Sequence, residues 1–386
     1  MKIAVVDYFG LGIIHKDPAQ ITLGLRDIGV EALFVARNLV NKFHISQAPF
    51  PLLSSASIET VSFWSDLSVD AVLLISRLAP DSERIVAAIK AAGVRLILKA
   101  DSDGTLGYPL VPNYLRTLSW RAEPLRTFLR HAKWRFPVRR YVGMKIEQIE
   151  MADAVIVESP KARINILSIL KQWKCEHLIS KVRFVPNPVA PDVFALDAMI
   201  AKKKLVMAVG RWEDFGPKNT HVMVRSIIEF LQMRKDYQAL IVGSGNEVIN
   251  HILEKLDSDL LNRLSVLGAV DHSLLAQRLA EAQILFMPSR MESFGIVAAE
   301  ALCVGCSIAV TPIESLEYLA ADGFSGTVAS GFDTSKTKEA LLVEAKRWDA
   351  GEHSSLEISE YWRARLDRRA IASTILAIAA ASSHGS

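Results

Sequence analysis

Short apolar runs alternate with helical patterns along most of the chain. Ile3 to Val6, Ala32 to Ala36, Val69 to Ile75, Arg95 to Leu98, Ala154 to Glu158 and Val182 to Val185 read as strands. Between them, Pro18 to Asp27, Ser82 to Ala92 and Lys161 to Lys171 carry helical spacing, the second ending at Gly93. Such alternation predicts a parallel sheet covered on both faces. A proline-rich segment, Pro186-Asn187-Pro188-Val189-Ala190-Pro191, then interrupts regular structure. After it the pattern restarts, with strands at Leu205 to Val209, Ala239 to Val242, Leu264 to Leu267, Ile284 to Met287 and Ser307 to Val310. Helices are expected over Thr220 to Met233, from Gly245 through Leu256, and over Ser273 to Ala282. The boundaries expected are an N-terminal domain at 1–188, a second domain at 189–360, and a C-terminal helical tail at 361–386 that packs back on the first.

Composition agrees with this division. At 386 residues the chain exceeds one ordinary core. Hydrophobic residues at 50% and charged residues at 23% are a globular balance. Forty-five basic against 42 acidic side chains leave a net charge of +3, too small to imply nucleic-acid binding, and no nucleic-acid partner is expected. No apolar run reaches the ~18 residues of a membrane span, and the Met1-Lys2-Ile3-Ala4-Val5-Val6-Asp7 start reads as a strand rather than a signal peptide. Three cysteines argue against a disulfide framework, so a cytoplasmic setting is expected. Cys303-x-x-Cys306 has no second pair and no histidine at ligand spacing, and reads as small buried fillers; no metal and no cofactor is expected.

The stretch 113–149 changes the picture. Its Arg116, Arg121, Arg126, Arg130, Lys133, Arg135, Arg139, Arg140 and Lys145 outnumber Glu123 and Glu147, with Trp120, Phe128, Trp134, Phe136 and Tyr141 interleaved. This is the pattern of a helix lying on an anionic bilayer, which would place the protein peripherally on the inner membrane face. The competing reading is a solvated helix pair whose aromatics pack on the sheet.

The densest candidate chemistry runs from Pro288 to Pro312, where a strand gives way to a polar turn and then a helix opening near Phe294-Gly295. Glu292 precedes that helix and Glu300 lies inside it. Eight positions of helix rise ~12 Å, about the span from a sugar ring to a ribose across a pyrophosphate. A helix start offers free N–H groups to a phosphate between the two acids. Glu292 as a simple helix-end acid is the alternative; Glu300 among Val297, Ala298, Ala299, Ala301 and Leu302 is harder to dismiss, since an unpaired charge there is costly.

Glu292-x7-Glu300 enclosing Ser-Phe-Gly-Ile-Val, led by Pro288-Ser289-Arg290 and followed by Ala301-Leu302-Cys303-x-Gly305, closely resembles the signature of retaining GT-B glycosyltransferases, in particular glycosyltransferase family 4. The resemblance is dense over Val182 to Val328 and thin elsewhere. It implies an α/β GT-B fold, two Rossmann-like domains with parallel sheets facing a central cleft. It also implies transfer of a sugar from a nucleoside-diphosphate sugar to an acceptor hydroxyl, with retention and without a metal. By the family pattern Glu292 takes a sugar hydroxyl and Glu300 the ribose, while the backbone of Phe294, Gly295, Ile296 and Val297 cradles phosphate and sugar. Arg211, directly after a strand, and Lys218, at the start of the next helix, match the cations used on the pyrophosphate. Gly243 and Val270, at neighbouring strand ends, match the base pocket. The acceptor stays open among glycans, lipid-linked and small molecules.

The first domain matches less well. Gly10-Leu11-Gly12 follows a strand, but His15 in the third position and Arg37 at the next strand end speak against a dinucleotide fingerprint. Gly10 and Gly12 are expected instead near donor phosphate and acceptor. Asp101-Ser102-Asp103 is a lone DxD beside Lys99, with Asp101 the candidate for an acceptor or sugar contact and a turn aspartate the competing reading. Two other functions stay open: an inactive GT-B scaffold or membrane-associated binding protein, and a glycoside hydrolase, whose acids would have to flank one bond ~5–10 Å apart.

Overall fold

The computed structural model describes residues 1–7, 16–37, 49–76, 82–100, 104, 142–197, 200–253 and 257–381. The chain divides into two units, one made of Met1–Pro188 with Leu366–Ser386 and the other of Val189–Arg365.

In the first unit the strands are β1 (Lys2–Asp7), β2 (Glu31–Ala36), β3 (Leu52–Ser54), β4 (Ala71–Ser76), β5 (Arg95–Ala100), β6 (Ala154–Val157) and β7 (Val182–Phe184). They pair in the order β3-β2-β1-β4-β5-β6-β7, every pairing parallel. Helices cover both faces, so a strand such as β4 is buried at every position; this is why the runs are apolar throughout rather than alternating. One face packs Val6, Leu74, Leu98 and Ile166. The other packs Ile3, Val5 and Phe34 with Ile371, Ala372, Ile375 and Ala379 of the Arg368–Ala380 helix. That helix lies on the Asp17–Asp27 helix, where Gly24 leaves no room for a side chain: a Cβ would stand 2.4 Å from the Arg368 carbonyl oxygen. Arg368 Nε donates to Asp27 at 2.6 Å across the same contact.

The tail differs from the one helix expected within 361–386. It is two helices, Ser355–Leu366 and Arg368–Ala380. Asp367 separates them because its carboxylate accepts from the N–H groups of Arg369 and Ala370 at 2.9 and 3.0 Å, starting a new helix rather than continuing the old one.

The second unit holds β8 (Lys203–Val209), β9 (Gln238–Val242), β10 (Leu264–Leu267), β11 (Ala282–Met287), β12 (Ser307–Val310) and β13 (Gly326–Val328). Their order is β10-β9-β8-β11-β12-β13, again all parallel. Both sheets are therefore wound from a central strand outward in both directions. The order reverses between β1 and β4 in one and between β8 and β11 in the other. In open parallel sheets the loops leaving the strands' carboxyl ends part at such a point and leave a crevice for ligand.

Among the described residues no helix is long and apolar enough to cross a membrane. Gly10, Gly12, Asp101, Asp103 and most of the basic 113–149 stretch lie outside the described residues; 142–151 is helical.

Candidate functional site

β8 and β11 lie side by side, and the two loops that leave their carboxyl ends carry most of the charged candidates. After β8 come Gly210-Arg211, a four-residue helix at Phe215–Lys218, and the Thr220–Met233 helix. After β11 come Pro288 to Gly295 and the Ile296–Cys303 helix. Lys218 Nζ meets Glu292 Oε1 at 2.5 Å, and Ser289 Oγ donates to the same oxygen at 2.8 Å. The Lys218 and Glu292 side chains are only 18% and 13% exposed, so the pair lies largely out of water, where a charge-assisted bond strengthens.

Glu292 belongs to the loop, four residues ahead of the helix that begins at Ile296, so its separation from Glu300 is not a helix rise. Gly295 caps that helix with φ at 88° and no side-chain hydrogen bond. Its left-handed backbone and its contact with Leu316, 2.8 Å from where a Cβ would be, both select glycine. The first-turn N–H groups of Ile296 and Val297 thus have no side-chain cap, and the helix dipole there favours an anion. Phe294 is fully buried, which leaves only its backbone for ligand.

Glu300 is buried inside the same helix. His272 Nε2 lies 2.8 Å from its Oε1, and His272 Nδ1 lies 2.5 Å from Asp192 Oδ2. Burial pulls the imidazole toward its neutral form, but the hydrogen bonds and charges of Glu300 and Asp192 outweigh it and push the pKa up to about 9. Burial raises the Glu300 carboxyl, with His272 opposing the rise. Both ring nitrogens face carboxylate oxygens, which favours the charged imidazolium.

Arg211 is placed differently from Lys218. Its side chain is 73% exposed and pairs with Asp214 at 3.0 Å; the structure joins Lys218 to Glu292 and leaves Arg211 on the outside of the same loop. The loop's base is fixed by backbone. Gly210 N–H donates to Val242 at 3.1 Å and Trp212 N–H to Ser244 at 2.9 Å. Gly243 lies under Gly210, its backbone filling the space. Val270 stands half-buried just past β10, in the segment leading to the Asp271 cap of the His272–Glu281 helix.

Lys99 is 1% exposed on β5, paired with Glu158 and, at 2.9 Å, with Asp17. It ties β5, the end of β6 and the start of the first helix at one edge of the sheet. Cys303 and Cys306 are buried and free, and burial pushes the Cys306 thiol up to about 12, so they pack rather than react. Among the described residues no group of three or more His, Cys, Asp or Glu side chains is arranged to hold a metal ion.

Sequence reasoning missed Asn219, His272 and Asp192. Asn219 follows Lys218 in the left-handed region at φ 55° and is nearly buried. Its amide donates to the Pro288 and Phe332 carbonyls at 3.1 and 3.0 Å and accepts from Arg290 Nε at 3.0 Å. The Arg290 N–H in turn donates to Pro217 at 2.8 Å. Asn219 therefore ties together the loops that carry Lys218 and Glu292, beside the Arg290–Pro217 backbone bond. An asparagine after the lysine at a helix start was the available signal, since Asn tolerates αL better than most. Asn219→Ala should cost about 2–4 kcal/mol, from left-handed strain and the orphaned carbonyls. Asn219→Gly, which keeps the backbone but loses the bonds, should cost less. Urea midpoints of both variants check this; equal and small shifts would remove the clamp.

Three kinds of likeness bear on this geometry. Residues 197–343 match the family model described as glycosyl transferases group 1. A phosphatidyl-myo-inositol mannosyltransferase of Mycolicibacterium smegmatis is 28% identical over 185 residues, 47% of this chain and 47% of that protein. A D-inositol 3-phosphate glycosyltransferase of Corynebacterium diphtheriae is 26% identical over 144 residues, 36% of this chain and 33% of that protein. The chain thus spans about half the length, or less, of these curated relatives. Among solved structures, HepE of Anabaena in complex with UDP has a TM-score of 0.69 at 15% identity, covering 97% of this chain and 98% of that one. WaaG, a glycosyltransferase involved in lipopolysaccharide biosynthesis, has a TM-score of 0.64 at 15% identity, covering 98% and 100%. At such identity the structural likeness speaks for the fold, two Rossmann-like units of the GT-B class.

Proposed function

We propose that the chain is a GT-B, family 4-like glycosyltransferase, and that it moves a sugar from a nucleoside-diphosphate sugar to an acceptor hydroxyl, retaining the anomeric configuration without a metal ion. The observation that carries this reading is the join of Lys218 and Glu292 at the switch point between β8 and β11, beside a helix start without a side-chain cap. A departing nucleoside diphosphate gathers charge on its β-phosphate. Lys218, the N–H groups of Ile296 and Val297, and Arg211 once swung from Asp214 would stabilise that charge. Fixed cations of this kind do the work a divalent ion does elsewhere. Glu292, released from Lys218 as the phosphate takes the ammonium, accepts a hydroxyl of the sugar; Glu300 accepts the ribose hydroxyls. In retention of this type the departing phosphate oxygen takes the acceptor proton on the sugar face it has left.

HepE has been solved with UDP-glucose, which supports a donor of that class here. The inositol-lipid relatives support a lipid-linked or glycan acceptor, and the basic 113–149 stretch supports docking on an anionic membrane from the cytoplasmic side. Gly10, Gly12 and Asp101 belong to the acceptor and sugar side of this reading, Gly243 and Val270 to the base. The two acids have separate partners, Glu292 bonding to Lys218 and Ser289 and Glu300 to His272, which supports separate binding roles rather than one facing acid pair.

A thermal-shift screen of nucleoside-diphosphate sugars tests it. A matched donor at 100 times its Kd adds about 2.7 kcal/mol by mass action, and should raise Tm by several degrees with chelator present. Failure of every nucleoside diphosphate to bind would overturn the reading. Turnover abolished by chelator would overturn metal independence alone, and an inverted product anomer by NMR would overturn retention alone.

A further inference from the structure

Glu300 occupies a position where a carboxylate is expensive. Ala298, Ala299, Ala301 and Leu302 beside it are all fully buried. Protonated, it would turn one oxygen into a donor and lose acceptor capacity. Two adjacent hydroxyls that both donate need the ionised form, and a buried carboxylate stays ionised only against a counter-charge. The second unit supplies one, on a different helix. His272 opens the His272–Glu281 helix, places Nε2 2.8 Å from Glu300 Oε1, and turns Nδ1 to Asp192 Oδ2 at 2.5 Å. Asp192 comes from a third element, the Pro191–Phe194 helix.

We propose that His272 is a positioning residue for donor binding: braced by Asp192 on its far side, it holds the Glu300 carboxylate in the orientation and acceptor form that a vicinal diol requires. This rests on the reading of Glu300 as the ribose acceptor. Among the described residues, the carboxylates of Asp192 and Glu300 stand against the ring. The other charged groups around its helix are engaged elsewhere: Asp271 accepts from Leu274 N–H at 2.8 Å, and Arg278 and Lys203 of β8 pair with Glu281 at 3.3 and 3.1 Å. Cys303, one turn beyond Glu300, is held in its neutral thiol form by burial. The imidazolium persists through neutral pH and is lost above about pH 9. Donor affinity should therefore fall as pH rises through that value.

The test uses the full chain and the tightest binder among UDP, GDP and ADP, measured by titration calorimetry. His272→Gln should weaken binding at least 10-fold at pH 7.5 and raise the donor KM similarly, with kcat at saturation within threefold. Its pH profile should reverse, affinity now rising with pH as Glu300 ionises unaided. Asp192→Asn, on a partly exposed side chain, should shift the alkaline loss to lower pH and serves if His272→Gln fails to fold. His272→Lys, which restores a cation, should recover part of the affinity. Binding within twofold of wild type with an unchanged profile, in His272→Gln or, if that variant is unfolded, in Asp192→Asn, overturns the role of His272. Glu300→Gln separates the two ideas: if it binds as wild type the ribose reading itself fails, and if it alone weakens binding only the relay fails.

Discussion

Lys218→Ala is expected to lower kcat by two to three orders of magnitude while the protein stays folded. The ammonium is the largely buried cation that the structure joins to Glu292 at the carboxyl ends of β8 and β11. Removing one preorganised donor from a developing oxyanion typically costs about 2.7–4 kcal/mol, or 10²–10³ in rate. The loss should fall on kcat more than on donor affinity, because charge on the leaving phosphate grows toward the transition state. Glu292 loses its ion pair in this variant but keeps the Ser289 hydroxyl at 2.8 Å, so a modest drop in Tm is expected beside the large kinetic one. Arg211→Ala should cost less at the ground state, since its guanidinium is exposed and held by Asp214, and should lower kcat by about tenfold or more. Steady-state kinetics with a matched donor decide the matter. A Lys218→Ala enzyme within threefold of wild type would remove the leaving-group role assigned to this side chain.

The parts of the fold that were readable from residue order are those with a long repeating signal. β1, β4, β8 and β11 are continuous apolar runs because both sheet faces are covered. Of the three-residue edge strands, β7 was legible beside the proline-rich segment, whereas β3 and β13 have too few residues for a period and no such flank. Helix Thr334–Asp349 escaped because its composition is largely polar and only Thr337, Ala340, Leu341, Glu344 and Ala345 are buried. In the site, Glu292 and Glu300 stood out by their spacing together with the family resemblance, and Lys218 through that resemblance. Their partners did not: His272 lies 28 residues before Glu300, and Asp192 another 80 before His272. No local pattern marks a contact made through three separate elements. Lys99 shows the same limit, since the residues that neutralise it, Asp17 and Glu158, are 82 and 59 positions away.

Gly243→Ala should be among the most damaging single-methyl additions to the second unit. Gly243 has φ at 135°, a conformation side chains rarely adopt, and its added Cβ would fall 1.7 Å from the Gly210 carbonyl oxygen. Neither backbone can yield cheaply. Gly210 N–H is bonded to Val242 O at 3.1 Å, and Gly243 N–H to both Leu267 O and Gly268 O at 3.2 Å. Relief would have to part β8 from β9 at the very end that carries Arg211. Strain of this kind combined with a lost sheet bond is expected to cost about 3–5 kcal/mol. Gly268→Ala, one strand over, is the matched control: nothing lies within 4 Å of its added Cβ and its φ is not positive, so its cost should stay within about 1 kcal/mol. Because two units need not melt together, amide exchange over 203–242 should be followed beside urea denaturation. Protection there should collapse in Gly243→Ala and survive in Gly268→Ala, and donor affinity should fall with it. Equal stability of the two variants would mean that the close approach of Gly210 and Gly243 does not hold the loop that carries Arg211 and Lys218.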